Sequence, residues 1–363
     1  MHYNRMWRSA LCGLMIVITS VAVAWSTDDP VCVPLYLPNQ PGLDFNGVWG
    51  TGDTGVITDR FIQMLNPTGG LVPVMHGVDL SMYNVKLNYR RLALCGTQFS
   101  FVRMDRAFKT HVQSLSGQGI YFIPTFDFQR ASKYRLPSTY LPFSGKPDSV
   151  LEGSALMKDA RLHGRALAKE FLDMISATGL NEVSTFRLEN DSVKFFAIDV
   201  EELNNGINNA GLNRQFGIIY AATIVAFVTE IQEKHPDMVP ILYLFPNVYW
   251  NYLRFSTSED DRALSTYSAW VARNRPRAAD VYMPMSTDAI DKYMQRFCRV
   301  GGGDRCIFQQ YTHRALIGYG VAIPSQGAVP LHHDLDRMFP IKTCHIGSRK
   351  VLVRDDVERS DCM

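Results

Sequence analysis

No glycine-rich phosphate loop of the G-x-G-x-x-G or G-x-x-x-x-G-K-[ST] kind follows any strand-like run in this chain, which removes the main signature of a nucleotide-binding α/β fold. A G-x-S-x-G elbow is missing too, so serine-nucleophile chemistry of the α/β-hydrolase kind has no anchor. Net charge is nearly absent, +2 over 363 residues, and a chain so close to neutral has no bulk attraction for nucleic acid. The seven cysteines form no C-x-x-C pair, and the nine histidines supply no metal-ligand comb. His332 and His333 are neighbours, but adjacent strand residues point to opposite faces and do not converge on an ion. Neither a metal nor a cofactor is expected.

What is present is an ordinary globular composition, 46% hydrophobic and 20% charged, with no internal repeat and no low-complexity tract. Residues 1–24 read as a signal peptide: Arg5 and Arg8 precede an apolar run too short for a comfortable membrane span, and Ala22-Val23-Ala24 forms a small-residue cleavage site. Its removal leaves a formally neutral chain without a membrane span and six cysteines, an even set that fits disulfides in a secreted or periplasmic protein. Cys298 and Cys306 flank the short loop RVGGGDR, which a bridge closes easily; the other pairings stay open.

Residues 25–70 are rich in Gly, Pro, Asp and Thr and read as an irregular N-terminal extension. From residue 71 the pattern changes. Short apolar runs recur at 74–80, 99–104, 119–128, 194–200, 239–245, 280–285 and 306–311, with helix-forming stretches at 154–179 and 217–236 between them. Strands alternating with helices over about 270 residues predict a parallel sheet closed into an irregular TIM-like β/α barrel spanning 71–340, followed by a C-terminal tail at 341–363. A doubly wound open sheet is the alternative.

A parallel β/α barrel carries its chemistry at the C-terminal ends of its strands. There the chain places Asp79 in GVDLS, Asp127 in TFDF, and Asp199, Glu201 and Glu202 in FFAIDVEE. Strand alternation puts Asp199 and Glu201 on one face, with α-carbons roughly 6.6–7 Å apart, and turns Glu202 to the other. Two adjacent carboxylates separate their pKa values, and glycosidic cleavage needs such a pair: one group protonates the leaving oxygen, the other stabilises or attacks the developing cation. A polar strand end facing solvent is the plain alternative. Several aromatics lie near strand ends, Tyr83 among them, and the preferred platforms for a sugar ring are Tyr243 and Tyr311.

The segments GVDLSMYN (77–84), YFIPTFDF (121–128), FFAIDVEE (195–202), PILYLFPNVYWNYL (240–253), FQQYTH (308–313) and HDLDRMF (333–339) together resemble, in order, the motifs of glycoside hydrolase family 25. Those enzymes are N-acetylmuramidases on an irregular β/α barrel. The resemblance spans about residues 72–340. It implies Glu201 as general acid and Asp199 as its partner carboxylate, with Asp79 and Asp334 as the other two site aspartates. It further implies peptidoglycan glycan strands as substrate and a monomer that works with retention, assisted by the substrate's 2-acetamido group. The chain departs from the family at Phe126-Asp127, where a Tyr-His pair is usual, at Gln309-Gln310-Tyr311 in place of Trp-Gln-Tyr, and at Arg103 or Arg106 in place of a lysine. Phe126 and Asp127 are therefore the altered substrate-binding positions. Two other readings stay open: a catalytically silent barrel that binds cell wall or a protein partner, and a chitinase-like glycosidase.

Overall fold

The computed structural model describes residues 35–36, 63–65, 71–128 except 74, 85–86 and 95–96, then 154–179, 185–188, 191–201, 210–272, 297–317 except 301–302, 333–346 except 340, and 349–354. The signal segment, Glu202, the apolar run 280–285, and Cys32, Cys95 and Cys362 lie outside the described residues.

Eight strands pair in a closed circuit. Strands β1 (Met75–Leu80), β2 (Phe99–Arg103), β3 (Tyr121–Asp127), β4 (Asp191–Val200), β5 (Met238–Leu244), β6 (Ser268–Ala272) and β7 (Cys306–Ile317) run parallel in that spatial order. The eighth, β8 (His333–Met338), is antiparallel to both β7 and β1 and closes the ring. The barrel expected from the alternating pattern is thus present, with an antiparallel closing strand as its irregularity. The sixth strand is a correction. The sequence pointed to 280–285, whereas SAWVA at Ser268–Ala272 pairs between β5 and β7.

Each strand faces two ways, and the two faces build two cores. On β4, Phe196, Ile198 and Val200 pack outward with Phe171 of α3 (Ala155–Ala177) and Phe227 of α4 (Ala210–Lys234), labels that leave α1 and α2 for Tyr89–Leu94 and Phe108–Ser116. Val193, Phe195 and Ala197 point inward, joining Phe99, Phe101, Ile241, Trp270 and Phe308 in the barrel interior. Helix α3 begins at a capped N-terminus, where Ser154 Oγ accepts from the Met157 amide at 3.3 Å. It crosses α4 at Gly164, where any Cβ would collide with the Thr223 carbonyl, so only glycine allows this approach. Helix α4 is apolar on nearly every side because it is buried on nearly every side; the stretch Arg214–Lys234 has the length and hydropathy of a membrane span, but most of its apolar residues are buried in the fold.

The stretches flanking the barrel contribute to it. Leu35–Tyr36, within the expected N-terminal extension, pairs antiparallel with the far end of β7. Within the expected tail, β9 (Ile341–Ile346) and β10 (Arg349–Arg354) form a hairpin whose Leu352 packs into the interior cluster. Cys298 and Cys306 are joined in a disulfide, as the loop between them foretold, and Cys344 is also disulfide-bonded.

Candidate active site

Above the aromatic interior the same inward-facing positions turn polar. On β4 the series Val193, Phe195, Ala197 continues as Asp199 and then Glu201, just past the strand end. On β2, Phe99 and Phe101 are followed by Arg103; on β1, Gly77 is followed by Asp79. The strands end at similar heights, so these side chains converge on one opening. A pocket of about 220 Å³ is lined there by Asp79, Ser81, Tyr83, Asn84, Arg103, Thr125, Asp199, Glu201, Tyr243 and Trp270.

Three of the four expected carboxylates, Asp79, Asp199 and Glu201, therefore share one pocket. Asp334 is brought beside them by the closing strand: because β8 runs antiparallel, its start lies at the mouth, and Asp334 is the register partner of Asp79. Asp199 is nearly buried, at 9% exposure, while Glu201 is half-buried. Behind them on α4 sits Tyr220, buried, with a hydroxyl that has no hydrogen-bond partner among the described residues. Burial, followed by the charges of Asp199 and Glu201, pushes its pKa well above that of an ordinary phenol, so it stays neutral against the two acids.

The expected substrate contacts divide. Tyr243 lines the pocket, but its ring is only 5% exposed, wedged against Trp270 at 4.2 Å between centroids, and its hydroxyl donates to Gln310 Oε1 at 3.1 Å. It is wall rather than platform. Phe126 is a correction: its neighbours Thr125 and Asp127 occupy the inward alternation, so Phe126 faces outward and packs on Phe171 and Phe227 in the helix layer. Asp127 does face inward, in register with Asp199, but is buried in an ion pair with Arg103 and does not line the pocket. Tyr311 lies in β7, within the register irregularity between Gln310 and Thr312.

Two contributors lie outside the preferred residues of the sequence reading: Trp270 is not named there, and Tyr83 is named only among the aromatics near strand ends. Trp270, on the unforeseen strand β6, forms part of the pocket lining; it stacks on Phe101 at 3.5 Å and 4° and donates its indole N–H to Asp336 Oδ1 at 2.9 Å. The turn Met82–Asn84 supplies Tyr83 and Asn84 to the rim. The period-2 pattern could have found Trp270 had SAWVA been taken as a strand; the turn left no such signal. Among the described residues one cluster has metal-ligand geometry, Cys298, Asp304 and Cys306, and its two sulfurs are already joined to each other.

No family model matches this chain, and no curated protein matches it. Solved structures do. The chain is similar to a family 25 glycosyl hydrolase from Bacillus anthracis, at 13% identity and a TM-score of 0.42, over 73% of this chain and 89% of that one. It is similar to the spore cortex lytic enzyme of Clostridium perfringens, at 15% identity and a TM-score of 0.45, over 77% of this chain and 76% of that one. A family 25 lysozyme from Aspergillus fumigatus superposes at 13% identity and a TM-score of 0.41, covering 74% and 94% respectively.

Proposed function

We propose that this chain is an exported glycoside hydrolase that cleaves the β-1,4 bond between N-acetylmuramic acid and N-acetylglucosamine in peptidoglycan. The observation that carries the reading is the placement of Asp199 and Glu201 on one inward face, in one pocket with Asp79, directly above an apolar floor. The ordered family 25-like motifs name the chemistry that such a pair performs. The Cys298–Cys306 disulfide supports the exported setting.

Glu201, the more exposed of the pair, protonates the leaving glycosidic oxygen as the C1–O bond breaks. Asp199, held at the boundary of the apolar interior, accepts a hydrogen bond from the substrate's 2-acetamido N–H, and the acetamido oxygen closes on C1. Water then attacks C1 as the bond from C1 to the acetamido oxygen breaks, and gives its proton to Glu201, restoring the acid. Asp79 and Asp334, paired across β1 and β8, hold the sugar from the opposite side of the mouth. Asp127 stands where the resemblance puts a histidine, and its ion pair with Arg103 keeps this second buried carboxylate, next to Asp199 in the sheet, neutralised.

The test is mass spectrometry of muropeptides released from purified peptidoglycan. New reducing ends on N-acetylmuramic acid are expected; reducing ends on N-acetylglucosamine, or faster turnover of chitin than of wall, would overturn the assignment. Glu201→Gln and Asp199→Asn should each abolish most of the activity. If both variants digest wall as well as the parent protein, these carboxylates do not carry the reaction.

A further inference from the structure

Among the described residues two large apolar side chains are strongly exposed, Leu162 at 63% and Tyr83 at 54%. Leu162 lies on α3, away from the pocket, where single exposed leucines are commonplace. Tyr83 stands at the rim of the carboxylate pocket, on a turn held by hydrogen bonds within itself and to Asp105 and His111.

The fastening is specific. Asn84 Oδ1 accepts from the Ser81 amide at 2.8 Å and from Ser81 Oγ at 3.2 Å, while the Asn84 amide donates back to the Ser81 carbonyl at 2.9 Å. Asp105, on the turn after β2, accepts from the Met82 amide at 2.7 Å with one oxygen and from the Ala107 amide at 2.8 Å with the other. His111, fully buried on α2, donates from Nε2 to the Ser81 carbonyl at 2.9 Å; its Nδ1 lies 2.8 Å from the Tyr89 hydroxyl of α1, which donates to it in the neutral ring. Two neighbouring segments, the turn carrying Asp105 and helix α2, thus lock four residues whose central side chain stays about half exposed. A turn with this many anchors cannot relax to bury the ring. Ordering it in advance lowers the entropy lost when a ligand stacks on it.

Resting on the muramidase reading, we infer that Tyr83 is a stacking platform for a pyranose ring of the glycan at the rim of the cleft, and that Asp105 is its positioning residue. The ring offers an apolar face to the C–H groups of the sugar.

The experiment uses the Glu201→Gln full-length protein, so that an N-acetylglucosamine/N-acetylmuramic acid tetrasaccharide binds without being cut, and reads affinity by calorimetry. Tyr83→Ala is expected to weaken binding about tenfold, and Tyr83→Phe, which keeps the ring, to bind within about twofold of its parent. Asp105→Asn should weaken binding when Tyr83 is present and add nothing when it is alanine. Unchanged affinity in Tyr83→Ala, in a protein whose Glu201-containing form still digests wall, overturns the platform and leaves the muramidase reading standing. Failure of the tetrasaccharide to bind at all, together with failure to digest wall, overturns both. An equal loss from Asp105→Asn in both backgrounds removes its positioning role.

Discussion

The floor and the mouth of the barrel are built by the same strands on the same inward face, yet they obey different rules. In the floor, Phe99, Phe101, Phe195 and Phe308 meet edge to face with centroids 5.1–5.7 Å apart, with the Trp270–Asp336 hydrogen bond set beside them. Two residues higher the inward positions hold Arg103, Asp127, Asp199 and Gln310, each buried or half-buried, and the organising force is pairing of charge and hydrogen bonds. The floor supplies stability. It also supplies the low-dielectric wall that makes the charges above it strong.

That contrast predicts a separation of effects. At the mouth, Glu201→Gln should lower wall digestion by about 10³-fold while leaving the melting temperature of the protein close to that of the parent, as compared by calorimetry. In the floor, Phe308→Ala should cost about 3–5 kcal/mol of unfolding free energy in a denaturant titration, and any activity lost should track the fraction unfolded. A floor variant that stays fully folded yet loses turnover would erase the distinction.

Arg103 tests the boundary between the two regions. Arg103→Met removes the cation paired with a buried carboxylate and should destabilise by about 3 kcal/mol. Arg103→Met combined with Asp127→Leu should recover most of that loss, whereas the two losses would add if each residue acted alone.

The smallest effect is a dependence on pH. Burial lowers the pKa of His111, outweighing the raising influence of its bond to Ser81 and of Asp105; Tyr89 and Asp105 are the titratable groups facing it. The folded protein then holds fewer protons than the unfolded chain, so stability is complete above an unfolded-state pKa of about 6.5 and declines as pH falls below it. His163, also lowered by burial, acts in the same direction. Denaturant midpoints at pH 7 and pH 5 should therefore differ, and His111→Gln should reduce the difference. An unaltered difference would show that His111 takes no part.

The features most legible in the sequence are those written in one strand. FFAIDVEE shows its own depth: apolar residues where both faces are covered, then two acids on one face where the barrel opens. Phe126 was misplaced for want of the same rule, since it alternates with the inward Thr125 and Asp127 and so had to face the helices. Strand β6 was obscured because SAWVA is short and carries Ser and Ala where DVYMPM offers bulkier residues. The pairing of Arg103 with Asp127 depends on the register of strands some 20 residues apart, and the anchoring of Tyr83 joins Ser81 to a histidine 30 residues away. Contacts of that kind leave no local periodicity to read.

The antiparallel closing strand has a consequence for how the chain is made. Until β8 has left the ribosome, β1 and β7 are both open edges, bare rows of N–H and C=O groups ready to pair with another chain. More than 250 residues separate the first barrel strand from the one that seals it. Synthesis therefore passes through a long interval in which the half-made sheet is at its most adhesive, and closure by β8 ends that hazard in the same step that brings Asp334 to Asp79.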